Sequence, residues 1–286
     1  MQLIKYFFQF IIIKLFFLIF KLIGYKKASI LGSLIGSTFG PFFRSKKLVM
    51  SNIGRALPFK NSDEILIIQK KMWSHYGRIL SNYVFMKNFQ KNTLSNYLEI
   101  EGKEILENIK KNGTPVIFVS GHFVNFELMA MEIEKSGIKL AAIYRPLNNI
   151  FINYIMEHIR KKYICKNQIK KGISGIRQIL NLYKKDYSIA LMIDQRVSEG
   201  VKSNFFNKAA FTTTIPAQLI KKFNCKIVPI YIQTIDKFNY KLKVNNPIDF
   251  NKTESIQSIT DKLNIVLEEM ILKNPEQWIW SHNRWK

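Results

Sequence analysis

The stretch 114-TPVIFVSGHFVNFEL-128 sets a run of apolar, β-favouring residues against an abrupt polar stop at Ser120-Gly121-His122. β-Branched and aromatic residues closed by a glycine read as a strand and its exit turn. Helical apolar spacing begins near Asn125, and Glu127 stands five residues beyond the histidine. The chain has only four histidines, so one at a strand mouth, beside a glycine and close to an acid, calls for a chemical reason.

Working outward, similar strand-like runs occur at 138-IKLAAIYRP-146, 187-YSIALMIDQ-195 and 226-KIVPIYIQT-234, with a weaker one at 240-YKLKVNNPI-248. Helical spacing occupies 63–86, where Ser62 or Asp63 is a suitable cap, and then 125–136, 149–163, 174–184, 215–223 and 254–272. This alternation predicts an α/β domain, a single mainly parallel sheet flanked by helices. In such sheets function gathers where strands end. Three of the ends are polar: Ser120-Gly121-His122, Tyr144-Arg145-Pro146 and Asp194-Gln195-Arg196. Parallel neighbours would bring them to one edge.

On one continuous helix, five positions at about 100° each would place His122 and Glu127 roughly 140° apart. With His122 in the turn and Glu127 in the helix's first turn, the carboxylate can fold back on the imidazole. It would then hold one ring nitrogen and leave the other as a general base. Gly121 lets the chain turn sharply and leaves a substrate room. No G-x-S-x-G elbow is present, and nothing supports the neighbouring Ser120 as a nucleophile. With no H-E-x-x-H, no second histidine nearby and no glycine-rich phosphate loop, no metal or cofactor is implied. A His–acid pair without a protein nucleophile points to activation of the substrate's own hydroxyl or amine, and direct acyl transfer is one such reaction. The plainer alternative is a strand-end histidine that is merely hydrogen-bonded.

The first 62 residues carry ten basic residues and no acid. Residues 1–24, MQLIKYFFQFIIIKLFFLIFKLIG, match the ~20 apolar residues of a membrane-spanning helix and predict an anchor. Lys14 near the middle favours snorkelling or an interfacial pose. Residues 25–62 form a basic, membrane-proximal helical segment in which Gly32, Gly36 and Gly40 make a small-residue stripe suited to close helix packing. The α/β domain then occupies 63–286. The flanking Lys26, Lys27, Arg44, Lys46 and Lys47 place the body on the cytoplasmic side by the positive-inside tendency.

The formal charge of +24 suits an anionic partner, although only eight of the 44 basic residues are arginine and part of the excess is compositional. No nucleic-acid motif is present, and Cys165 and Cys225 match no metal or redox spacing. The aromatics Trp278, Trp280 and Trp285 suit either an interfacial belt or simple packing, and His282 reads as structural.

The string 121-GHFVNFE-127 resembles the H-x4-D/E motif of glycerolipid-type acyltransferases, and more closely the G-H-F-G-N-W-E of the bacterial lipid A late acyltransferases, the lauroyl/myristoyl transferases. Four further segments resemble that family in order: 144-YRPLNN-149, 172-GISGIRQIL-180 with 191-LMIDQ-195, 205-FFNKAAFTTTIPAQLIKKFNCKIVP-229 and 275-PEQWIWSHNRWK-286. The departures are Val124 where Gly is usual, Phe126 for Trp and Asn207 for Gly.

The resemblance implies a glycerolipid acyltransferase-like fold with an N-terminal membrane anchor, on the cytoplasmic face of the bacterial inner membrane. It implies a donor, acyl-acyl carrier protein or acyl-CoA, and as acceptor a hydroxyl of a Kdo-bearing lipid A precursor. Carried over, His122 is the general base and Glu127 its orienting partner. Gly121, Asn125, Arg145, Asp194 and Gln195 bind substrate, with Arg145 on a phosphate or the developing oxyanion. Basic runs at 160-RKK-162 and 166-KNQIKK-171 suit the acidic carrier protein. The same chemistry on a phospholipid, glycolipid or aminolipid acceptor is the second reading, and a non-enzymatic basic membrane binder the third. Nothing in the sequence sets an oligomeric state or requires a cofactor.

Overall fold

Continuous apolar runs form the centre of the sheet and polar, alternating ones its margins. A computed structural model describes residues 1–286. Its strands are β1 (Leu98–Glu101), β2 (Ile117–Ser120), β3 (Leu140–Tyr144), β4 (Asn167–Lys170), β5 (Ser188–Met192), β6 (Val201–Phe205), β7 (Lys208–Thr212), β8 (Ile227–Thr234) and β9 (Tyr240–Val244). Seven form one sheet in the order β1-β9-β8-β2-β5-β3-β4. Strands β8, β2, β5, β3 and β4 are parallel, and β9 runs antiparallel to β8. The fold is the α/β class expected, a mainly parallel sheet flanked by helices. Every residue of β2 is buried, as a strand covered on both faces requires.

The five strands expected from sequence are present, trimmed at their ends. Four others escaped notice: the hairpin strands β6 and β7, and two strands of the main sheet, β1, LEIE, and β4, NQIK, which are short and polar because they occupy the two edges, where charge discourages further pairing. A separate hairpin joins β6 to β7 through Phe206 and Asn207, both left-handed at φ 52° and 56°. Two such residues make a type I′ turn, so Asn207 serves in place of the expected glycine.

Four long helices and a short one precede the sheet: α1 (Gln2–Ile23), α2 (Tyr25–Phe43), α3 (Lys46–Ala56), α4 (Ser62–Asn82) and the five-residue α5 (Met86–Gln90). The cap of α4 is neither Ser62 nor Asp63 but Asn61, in a reciprocal capping box with Glu64. The glycine stripe of α2 lies against α4. A Cβ on Gly32 would stand 2.5 Å from the Gly77 carbonyl oxygen, and one on Gly36 2.2 Å from that of Trp73. Gly40 lies against the Trp73 ring. The stripe is therefore a seam between two helices of the body.

Helix α1 is long and apolar enough to cross a membrane. It buries only Phe20 fully, while Phe8, Leu15 and Leu18 are among the side chains it leaves exposed. Its N-terminal half meets the chain after β3. Phe7 and Phe10 pack on Phe151 with ring centroids 5.8 Å apart, and Asn149 Nδ2 donates to the Tyr6 carbonyl (2.9 Å).

The α2–α4 seam makes a specific demand. A Cβ at Gly77 would fall 1.8 Å from the Gly32 carbonyl oxygen, so Gly77→Ala forces the helices apart and is expected to cost about 1–3 kcal/mol. Gly54 lies in α3 with only Ile65 Cδ1 nearby, at 3.6 Å, so Gly54→Ala is expected to gain up to about 1 kcal/mol from helix propensity. Denaturant titration of the two variants checks both signs.

Candidate active site

Register brings the three polar strand ends to one edge. Ser120 of β2 pairs with Met192 of β5, and Ala142 of β3 with Ala190 of β5, so His122, Arg145 and Asp194 emerge side by side. Gly121 turns the chain where a side chain would crowd its neighbours. A Cβ there would meet Leu267 Cδ1 at 2.9 Å, the Phe123 ring at 3.2 Å and Asp194 Oδ2 at 3.3 Å. Its absence lets the Asp194 carboxylate approach the backbone. The His122 N–H donates to Asp194 Oδ2 (2.6 Å), and His122 Nδ1 pairs with Asp194 Oδ1 (2.8 Å). Trp278 Nε1–H donates to Oδ2 as a third bond (2.9 Å).

The carboxylate partner of His122 is therefore Asp194, and the expectation that Glu127 folds back on the imidazole is corrected. Glu127 does open the helix Glu127–Lys135, as anticipated. Its carboxylate turns the other way, to Arg160 Nε (2.8 Å), Arg160 Nη2 (2.6 Å) and the Tyr83 hydroxyl. The physical reason is a competing cation. Arg160 begins a π-helical turn, Arg160–Ile164, at the end of the helix Ile150–Ile159. There it offers a two-pronged guanidinium to a carboxylate that is only 7 % exposed. Arg160 is thus a wall residue of the site rather than part of the basic surface suggested by 160-RKK-162. Lys161 and Lys162 do face solvent.

Beyond the strand ends lies a cavity of about 550 Å³. His122, Glu127, Arg145, Gln195 and Arg160 line it, among mostly apolar neighbours such as Phe118, Met129, Ile133 and Ala190. Asp194 is buried behind His122, while Gly121 and Asn125 lie outside the cavity wall. Asn125 is fully buried with φ 30°, and its part is in the turn. Phe126, which departs from the family's Trp, stands edge-on to the imidazole, with centroids 5.1 Å apart. The Ser120 hydroxyl points to Met129 Sδ (3.4 Å) and the Gly121 carbonyl (3.5 Å), with no bond to His122.

The electrostatics follow from burial and pairing. Burial by itself opposes the imidazolium, but the charge and hydrogen bond of Asp194 outweigh it, and the His122 pKa is raised above the ordinary value. Burial equally opposes the Asp194 carboxylate, yet His122 and Trp278 hold its pKa below the usual range. With Nδ1 engaged, His122 Nε2 has no protein partner and is not sealed from solvent. The tautomer that follows places an unshared lone pair at the cavity.

Three further residues were missed or underrated in the sequence. Tyr83 and Arg160 carried no motif. His282 lines the same cavity, and its Nε2 accepts the Arg196 backbone N–H (3.0 Å). Its place within 275-PEQWIWSHNRWK-286 was the one available signal. Trp278 and Trp280 are buried, so these two are packing residues rather than an interfacial belt.

Fold and site define an α/β protein with a carboxylate-held histidine on a mostly apolar cavity at the strand ends. The chain belongs to the bacterial lipid A biosynthesis acyltransferase family, whose model matches residues 1–286. It is 25% identical over 249 residues to lipid A biosynthesis acyltransferase 2 of Shigella flexneri, covering 83% of this chain and 76% of that protein. Two proteins of Escherichia coli K12 are 22% identical. One is a lipid A biosynthesis palmitoleoyltransferase (90% of this chain, 84% of the relative). The other is a lipid A biosynthesis myristoyltransferase (82% and 73%). The protein is accordingly an enzyme that transfers acyl groups.

The Asp194 carboxylate raises the His122 pKa, and Asp194→Asn removes the charge that outweighs burial. The imidazole titration, followed by NMR, is expected to move to lower pH in that variant; an unmoved titration would show that Asp194 does not govern the ring. Arg160→Gln leaves Glu127 buried without its cation and is expected to lose about 3–5 kcal/mol of stability in denaturant titration.

Proposed function

We propose that the chain transfers a fatty acyl group from acyl-acyl carrier protein to a hydroxyl of a lipid A precursor of the Kdo-lipid IVA type, directly, with His122 as general base. The observation that carries this reading is the His122 imidazole, tied through Nδ1 to buried Asp194 and open at Nε2 on an apolar cavity. The names of the relatives support the acceptor class.

In this scheme Nε2 takes the acceptor hydroxyl's proton as the oxygen attacks the thioester carbonyl. The tetrahedral oxyanion collapses, the carbon–sulfur bond breaks, and the departing thiolate recovers the proton from the imidazolium. No acyl-enzyme forms, which accords with a Ser120 hydroxyl that makes no bond to the imidazole. The acyl chain lies along Phe118, Met129, Ile133 and Ala190. Each methylene so buried contributes about 0.8 kcal/mol, so a donor two carbons short binds on the order of tenfold more weakly.

Residues 1–24 act as the anchor, 25–62 as the membrane-proximal helices and 63–286 as the catalytic domain, on the cytoplasmic face of the inner membrane. Support comes from the place of α1. Its contacts with Asn149 and Phe151 set it beside Pro146, Leu147 and Asn148 of the cavity rim, so acceptor lipid would reach the site along it. The +24 charge suits both an anionic leaflet and an acidic carrier.

Membranes carrying the protein are incubated with labelled acyl-acyl carrier protein and a panel of lipid acceptors, wild type beside His122→Ala. Mass-resolved acylation of the Kdo-lipid A precursor, reduced at least about 1,000-fold in the variant, is the expected outcome. Transfer to a different lipid, also lost in the variant, would keep the base and move the acceptor. Equal transfer by both proteins would remove His122 from the chemistry.

A further inference from the structure

We propose that His282 is a catalytic hydrogen-bond donor whose Nδ1–H polarises the thioester carbonyl and stabilises the oxyanion. The proposal deepens the acyl-transfer reading and rests on His122 being the base of that reaction.

The argument starts from a tautomer. His282 Nε2 accepts the backbone N–H of Arg196 at 3.0 Å. A nitrogen that accepts cannot carry the ring proton, so in the neutral ring that proton belongs to Nδ1. The anchor is firm because Arg196 directly follows Asp194-Gln195, and the His282 carbonyl receives Asn52 Nδ2 at 2.7 Å. Nδ1 has no partner in the protein, yet it is not sealed from solvent. His282 forms part of the wall of the cavity that His122 also lines. An unpartnered donor on a residue of that wall is what a developing oxyanion requires.

The ring also stays uncharged. Burial drives its pKa down to about 4; the charge of Asp194 opposes this, while His122, Arg284 and Arg44 assist it. A neutral imidazole can donate to a carbonyl without competing with His122 for the acceptor's proton, a division of labour known between a base and an electrophilic histidine. Arg145 is another donor near the strand ends. It is exposed and close enough to Lys171 for their like charges to interact, which suits the rim better than the reacting carbon. The charges of His122 and Asp194 are instead felt at His282.

The test separates the two ring nitrogens. In His282→Gln the amide oxygen reaches the ε position, so the Arg196 N–H keeps an acceptor and the Nδ1 donor is lost. In His282→Asn the amide nitrogen takes the δ position, so the donor is kept and the anchor is lost. Transfer from acyl-acyl carrier protein to the Kdo-lipid A precursor is measured for both, with melting temperatures, beside wild type and His122→Ala. Expected is a roughly 100- to 1,000-fold fall in kcat for the Gln variant, with KM and melting temperature near wild type, and a kcat within about tenfold of wild type for Asn. A merely structural His282 would give the reverse, with Gln active and Asn impaired, and that pattern overturns the proposal, as does equal activity of the two. Should either variant fail to fold, ¹⁵N spectra of the wild-type histidines decide. A His282 ring protonated on Nε2, or cationic at pH 7, also overturns it. Turnover surviving in His122→Ala would instead remove the base reading, while the Gln-to-Asn ratio would still judge His282.

Discussion

Everything at the site depends on one buried carboxylate. Asp194 is 1 % exposed, and an ionised acid there is tolerable only if its lone pairs are filled. They are filled by the His122 N–H, the His122 ring and the Trp278 indole. Two of these donors come from the exit of β2 and one from the C-terminal segment, so three distant stretches of chain must meet before the charge is satisfied. The same three bonds fix the rotamer and tautomer of His122. Stability and function are coupled here because one group needs both sets of partners.

That coupling explains why the last residues are built into the body. Trp278 and Trp280 stack edge to face at 4.6 Å, and Arg284 is wholly buried beneath them in sequence. Its guanidinium donates to the Phe211 carbonyl and the Thr212 hydroxyl, both at 2.6 Å, and lies over the Phe205 ring at 4.7 Å. Burial without a carboxylate partner pushes its pKa down to about 10, a cost set against pinning the β6–β7 hairpin. The C-terminal segment thus braces the loop after β5 from one side and the hairpin from the other. His282 sits between these braces.

What could be read in the sequence divides along the same line. Strands β2, β3, β5 and β8 announced themselves because burial on both faces demands unbroken apolar runs, and the turn at Gly121 because a glycine closes the apolar run there. The polar ends could be placed on one edge from parallel pairing alone. Which carboxylate holds His122 could not, since Asp194 lies 72 residues away and its approach depends on register. Nor could Arg160, whose position rests on a local π turn that no periodicity encodes. The edge strands LEIE and NQIK were illegible for the opposite reason: they are half exposed, so their composition is that of a loop. The glycine stripe of α2 was legible as a close-packing surface, but not its partner.

The five-residue spacing from His122 to Glu127 acquires a different meaning from the one the sequence suggests. Glu127 does not touch the imidazole, yet its charge reaches it and would raise the His122 pKa further. Arg160 acts on the same ring in the opposite direction. Because the two are ion-paired at 2.6 Å, their effects on His122 oppose each other, and Asp194 is left to set the basicity. An acid in that place without Arg160 would push the His122 pKa further up, and a cation without the acid would push it down. The motif's carboxylate is thus one half of a neutral pair that lines the cavity while leaving the imidazole poised to accept a proton. A spacing that failed to reach the histidine is what allows Glu127 to reach the arginine.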